Sequence, residues 1–253
     1  MRIGSLFSGV GWLDEGLHRA GVGQTAWFCE AAPYPRRVLS KHWPGVPIYE
    51  DVRSMGAWAP IPDVDVVVGG FPCTDISNAG TREGLSGKRS GLWREFARIL
   101  RMVRPRYVVL ENVSAILVRG GVEVLGDLAS LGFGCWWDCL PASAFGAAHR
   151  RDRWFLVGAM ADTHGARLEG SFLRARAGLA GQLDRACEES GSVVYRSRVS
   201  DPFGDRDGVS ILSRGADGIP NRVDRLRACG NGVDLRVAEA VGRVLMGVHN
   251  DRG

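Results

Sequence analysis

Two short runs carry side chains able to do covalent chemistry. In the first, residues 63–77, a β-branched run (Val64, then 66–68) breaks at Gly69-Gly70, and Pro72 presents Cys73 just past it. In the second, residues 107–110 read as another apolar strand that leads into Glu111-Asn112-Val113. Open α/β sheets hold their reactive groups in the crevice beyond the carboxyl ends of parallel strands. A thiol and a carboxyl group at two such ends can face one cleft, where a nucleophilic sulfur beside a proton donor suits attack on an electron-poor ring carbon.

Cations and a glycine turn add to this. Residues 145–158 bring Arg150, Arg151 and Arg153 just before a strand. On an extended segment, Arg151 and Arg153 fall on one face. Two guanidinium forks aimed into one cleft can grip phosphate or a base carbonyl. Arg150 reads as a solvated surface charge. Near the start, residues 3–11 read as a strand passing into the turn Phe7-Ser8-Gly9-Val10-Gly11. Such a turn lets backbone approach a ligand at the N-terminus of the next helix. A second strand closes at Glu30, where an acid can accept ribose hydroxyls. Residues 48–52 make a third short strand carrying Asp51 and Val52.

The elements that must position these groups alternate strand and helix. Helical spacing covers residues 12–20, 34–41, 92–103 (stopped by Pro105), 122–131 and 235–246. This predicts an α/β fold, a mostly parallel Rossmann-like sheet with helices on both faces. Residues 74–90, rich in glycine and polar side chains, predict a functional loop with the character of a lid.

At 253 residues, with 45% hydrophobic and 24% charged side chains, the chain suits one sizeable folded domain and not wholesale disorder. A net charge of +4 is compatible with a polyanionic partner without demanding one. Arginine greatly outnumbers lysine, which leans toward phosphate and base-edge contacts. No apolar run approaches membrane-spanning length, and no signal peptide is legible because Asp14 and Glu15 interrupt the apolar start. A cytoplasmic, non-membrane protein with free thiols is expected. Cys135 and Cys139 lack a second ligand pair, so no metal is expected.

Gly-Phe-Pro-Cys followed by Glu-Asn-Val resembles the cytosine-5 DNA methyltransferases of bacterial and phage type. The resemblance covers roughly residues 1–160 and 226–247. It implies S-adenosylmethionine as cofactor, double-stranded DNA as substrate and a flipped cytosine as the target base. By resemblance Cys73 is the nucleophile, Glu111 holds and protonates the base, and Arg151 and Arg153 stand in the family's Gln-x-Arg-x-Arg pattern, with His149 at the glutamine. The cofactor is assigned by resemblance to Phe7, Gly9, Gly11, Glu30, Asp51, Val52, Leu92, Asn231 and Val233. The last two belong to Gly230-Asn231-Gly232-Val233, similar to the family's final motif. Departures are Ala31 after the ribose acid, Thr74 after the cysteine and Leu235 where proline is common.

The resemblance implies a catalytic domain at 1–160, a short target-recognition region at 161–225 and a C-terminal return at 226–253. Residues 161–225 are rich in glycine, serine, arginine and aspartate, so a disordered linker is the other reading of that stretch. A second subunit and a cognate restriction endonuclease are the partners the family suggests. Three alternatives stay open: an RNA cytosine methyltransferase of the same architecture, a nucleic-acid-binding subunit that needs a partner, and a nicotinamide dehydrogenase. The last leaves Cys73 and Glu111 without a role.

Overall fold

The computed structural model describes residues 1–72, 91–147, 149–160, 223–224 and 232–251. Cys73, Asn231, the expected lid at 74–90 and nearly all of 161–225 lie outside the described residues.

Seven strands form one sheet: β1 (Arg2–Leu6), β2 (Gln24–Cys29), β3 (Ile48–Tyr49), β4 (Val66–Gly69), β5 (Tyr107–Val113), β6 (Phe133–Pro141) and β7 (Asp152–Met160). Their order is β3-β2-β1-β4-β5-β7-β6. Every pairing from β3 to β5 is parallel, and β7 runs antiparallel to both its neighbours. The described helices are α1 (Trp12–Arg19), α2 (Pro33–His42), α3 (Gly91–Val103), α4 (Gly121–Ser130) and α5 (Leu235–Asn250).

Strand alternation divides the core into two layers. Val66, Val68, Tyr107 and Val109 face one side with Leu13 and Leu17 of α1 and Val237, Val241 and Val244 of α5. Val67, Val108 and Leu110 face the other, against Phe96 and Leu100 of α3 and Val124 and Leu128 of α4. With both faces covered, β4 is buried along its whole length, which is why it reads as an unbroken β-branched run. The α1 and α5 backbones approach closely: a Cβ added at Gly16 would stand 2.3 Å from the Ala238 Cβ. The chain's two ends thus share one layer.

Several elements differ from the sequence reading. The third strand stops at Tyr49, because the Asp51 carboxylate accepts from the Arg53 backbone N–H and starts a short 3₁₀ turn, Val52–Ser54. β5 continues through Glu111-Asn112-Val113 instead of ending before them, since β7 pairs with those three residues as well. β6 was not legible as a strand. It is one edge of the sheet, and it holds Cys135 and Cys139 as half-buried free thiols. Helix α5 runs to Asn250, four residues beyond its predicted end at 246.

Candidate active site

The carboxyl ends of β1, β2, β4 and β5 open into a cleft of about 1000 Å³. Phe7, Gly9, Glu30, Asp51, Val52, Leu92, Glu111, Arg153 and Val233 all line it. Of the other expected residues, Gly11 caps α1 in the left-handed region (φ 83°) against Trp43, and Arg151 bonds to the carbonyl of Gly232, which lines the cleft.

The glycine turn is held from both sides. Gly9 has φ 55° and Phe7 has φ 54°, so the chain turns back sharply after β1. Positive φ is cheap at glycine and costly at phenylalanine, so surrounding contacts must hold Phe7 there. Its ring stacks on Phe96 at 6.3 Å, and the Ser8 N–H donates to the Cys29 carbonyl at 3.2 Å. Glu30 completes the hold: Oε2 accepts the Gly9 N–H at 2.8 Å and Oε1 the Ala32 N–H at 2.7 Å. Each carboxylate oxygen keeps a further lone pair for a ligand hydroxyl.

The acid end is built by sheet register. Gly69 pairs with Leu110, so one step further along the two parallel strands Gly70 comes beside Glu111. A Cβ at Gly70 would stand 2.7 Å from Glu111 Oε2, so the carboxyl group occupies the space that a side chain would need. Asn112, buried, donates through Nδ2 to the Phe71 carbonyl at 3.2 Å and ties the end of β5 to the segment that leads into Pro72-Cys73.

On the other side β5 pairs with β7, setting Val113 opposite Arg153. Arg153 Nε reaches Glu111 Oε1 at 3.1 Å. Burial pushes the Glu111 carboxyl up to about 7, against the pull of Arg153 and then Arg151. In this cleft desolvation outweighs two nearby positive charges.

The expected same-face pair of arginines needs correction. Arg151 lies before β7 with φ 29°, off the extended backbone that strict alternation requires. Its Nη2 donates to the Gly232 carbonyl, while Arg153 pairs with Glu111. The bond to Gly232 ties the arginine segment to the C-terminal return. Asp234 at the N-terminus of α5 reinforces the tie through Arg236, whose Nη1 donates to the Gly146 carbonyl.

Residues 1–177 match the C-5 cytosine-specific DNA methylase family. The chain belongs to that family. Among relatives of this chain, Type II methyltransferase M2.BsuMI of Bacillus subtilis (strain 168) is 36% identical over 168 residues, covering 63% of this chain and 42% of the relative. M.CviJI of Paramecium bursaria Chlorella virus IL3A is 31% identical over 153 residues, 60% of this chain and 41% of the relative. M.Bsp6I of Bacillus sp. (strain RFL6) is 31% identical, covering 62% and 52%. The chain therefore spans roughly half the length of the relatives it matches. In fold it is similar to the Dnmt2 methyltransferase of S. pombe, at a TM-score of 0.52 and 18% identity over 63% of this chain and 51% of that one. The Entamoeba histolytica methyltransferase EhMeth gives the same TM-score at 13% identity, covering 64% and 53%.

Two features of the cleft were not legible in the sequence. Asn112 was legible as part of a motif but not as the link to Phe71. Asp14 was read only as a break in an apolar start, yet it is wholly buried and backs the cleft. Its signal was present: it lies three residues before Leu17, on the apolar stripe of α1. Among the described residues no group of three side chains could hold a metal ion, and no helix is long and apolar enough to cross a membrane.

Proposed function

We propose that the chain transfers a methyl group from S-adenosylmethionine to C5 of a flipped cytosine in double-stranded DNA. The observation that carries this reading is the buried Glu111 carboxyl group, with its pKa at about 7, held by Arg153 beside the strand end that leads into Pro72-Cys73. Near neutrality such an acid is poised to give and take a proton.

S-adenosylmethionine, when bound, supplies an electrophilic methyl group. The described residues fit that ligand: positive-φ glycine at Gly9 bares the backbone, Glu30 and Asp51 stand at the ends of two adjacent strands, and Leu92 and Val233 add apolar wall. Cys73 and Asn231 complete the proposed set.

C5 of cytosine is a weak nucleophile. Addition of the Cys73 thiolate to C6 forms an S–C bond and shifts the C5=C6 pair into C4=C5. The C4=N3 pair then takes up the Glu111 proton at N3, and the resulting enamine is nucleophilic at C5. Arg153 steadies the ring carbonyl oxygen, and Arg151 adds a second positive charge that Glu111 senses. After transfer, a base removes the C5 proton, C5=C6 re-forms as the C6–S bond breaks, Cys73 leaves as thiolate, and N3 returns its proton to Glu111. A thiol with pKa about 8.5 is only a few per cent ionised at neutrality, so the reaction needs the thiolate fraction. The base must leave the stack to meet the sulfur, at a cost of about a few kcal/mol.

In this proposal residues 1–160 form the catalytic part, 161–225 read the target and 226–253 return to the catalytic part. In a second reading another chain supplies part of the DNA-reading surface, because residues 161–225, rich in glycine, serine, arginine and aspartate, read equally as a linker. Bisulfite sequencing of a host genome expressing the chain tests both. Methylated cytosines in a fixed context, absent with Cys73→Ala, support the first. Methylation seen only on co-expression of a partner supports the second, and unmethylated DNA in both arms would sink the proposal.

A further inference from the structure

Asp14 sits in the first turn of α1 with no exposed surface, directly behind the cleft wall together with Ser5 and Leu13. Ser5 Oγ donates to its Oδ2 at 2.9 Å and Thr25 Oγ1 to its Oδ1 at 3.0 Å. The Thr25 hydroxyl also meets His18 Nε2 at 3.0 Å. Among the described residues no arginine or lysine pairs with Asp14. It is a buried acid that backs a ligand cleft and is held by neutral groups, the two hydroxyls and a backbone N–H.

We propose that Asp14 determines cofactor charge specificity, favouring the cationic sulfonium of S-adenosylmethionine over the neutral thioether product. The inference rests on the methyl-transfer reading above. A buried carboxylate without a countercharge gains strongly from a cation brought into the same low-dielectric cleft, and gains little from a neutral sulfur. Charge would thus help hold the reactant and release the spent product.

Burial pushes Asp14 up to about 7, with the two hydroxyls opposing the rise. Near neutrality it carries a proton part of the time, and a bound cation would expel that proton. The groups around it are few. On α1, burial lowers the His18 pKa against the pull of Glu15, and Glu15 is paired with Arg19. At the end of β2, Cys29 is pushed up to about 12 and Glu30 is engaged by two backbone N–H groups. Helix α5, packed on α1, carries Glu239 paired with Arg243, and β4 carries no titratable side chain. Glu111 across the cleft also titrates near 7, so it needs its own control.

The test is equilibrium binding of S-adenosylmethionine and S-adenosylhomocysteine to the full chain, by titration calorimetry between about pH 6 and about pH 8. If the sulfonium lowers the Asp14 pKa from about 7 by about one unit, the affinity ratio of sulfonium to thioether rises about fivefold across that range, toward a limit of about tenfold. Glu111→Gln keeps the rise, and Asp14→Asn abolishes it. Calorimetry in two buffers of different ionisation enthalpy reads the same effect in the unmodified chain, as a proton released by the sulfonium and not by the thioether. A flat ratio, equal proton release with both compounds, or a slope unchanged in Asp14→Asn overturns the inference while leaving the methyl-transfer reading standing. Absence of binding by either compound would overturn both.

Discussion

Gly70 and Glu111 are neighbours on adjacent parallel strands, and a Cβ on the glycine would stand 2.7 Å from the acid's Oε2. That atom is the far end of a flexible side chain, so the fold can absorb a methyl group by moving the carboxyl group aside. Gly70→Ala is therefore expected to change stability by no more than about 1–3 kcal/mol. Misplacing a catalytic group by about an ångström costs about a hundredfold in rate. Thermal melting set beside single-turnover methyl transfer checks the split; an unchanged rate would show that the position of Glu111 does not matter.

Glu111→Gln removes the titrating proton and leaves the shape. Single-turnover transfer should fall about 10²- to 10⁴-fold, the usual worth of a positioned acid. The protonated form is lost as pH rises through about 7, so the unmodified chain should show a descending limb there that the variant lacks. A matching limb in the glutamine variant would assign it to another group.

Asp14 makes stability depend on pH in a direction opposite to the usual salt-bridged carboxylate. Its pKa rises from 3.8 when unfolded to about 7 when folded. Between those values the folded chain holds a proton that the unfolded chain has lost, so stability falls as pH rises through the window. The loss is on the order of a few kcal/mol. Asp14→Asn should flatten the part of this slope due to Asp14 and make the chain more stable than the unmodified one at pH above 7. Denaturant midpoints across the range measure it, and parallel slopes for both proteins would contradict the assignment.

Asn112 carries the link from the end of β5 to the Phe71 carbonyl. Asn112→Leu keeps a buried side chain but removes the donor, at about 1–3 kcal/mol for a buried hydrogen bond left unmade. Because Phe71 lies two residues before Cys73, trapping of a covalent complex on DNA carrying 5-fluorocytosine should also slow. Normal trapping with lowered stability would limit Asn112 to a structural role.

Much of the site was readable in one dimension because its signals are local. A β-branched run broken by Gly69-Gly70, the turn Phe7-x-Gly9-x-Gly11, and acids closing short strands each need only a few consecutive residues, and Glu30, Glu111 and Leu92 do line one cleft. The amphipathic spacing of α3 was equally local: Phe96, Ile99 and Leu100 repeat at the helical period and are buried together.

What the amino-acid order by itself determined was therefore the inventory of strand ends, turns and reactive side chains, since local backbone preference and hydrophobic period specify these. Tertiary structure alone decided how distant residues meet. The antiparallel register of β7 on β5 sets Arg153 beside Glu111, and the Gly232 carbonyl draws Arg151 away from the same-face pattern. The packing of α1 and α5 over β1 and β4 leaves Asp14 no exposed surface. These contacts join segments tens of residues apart, and they are settled by which faces of the sheet are covered, a property that no short window of sequence contains.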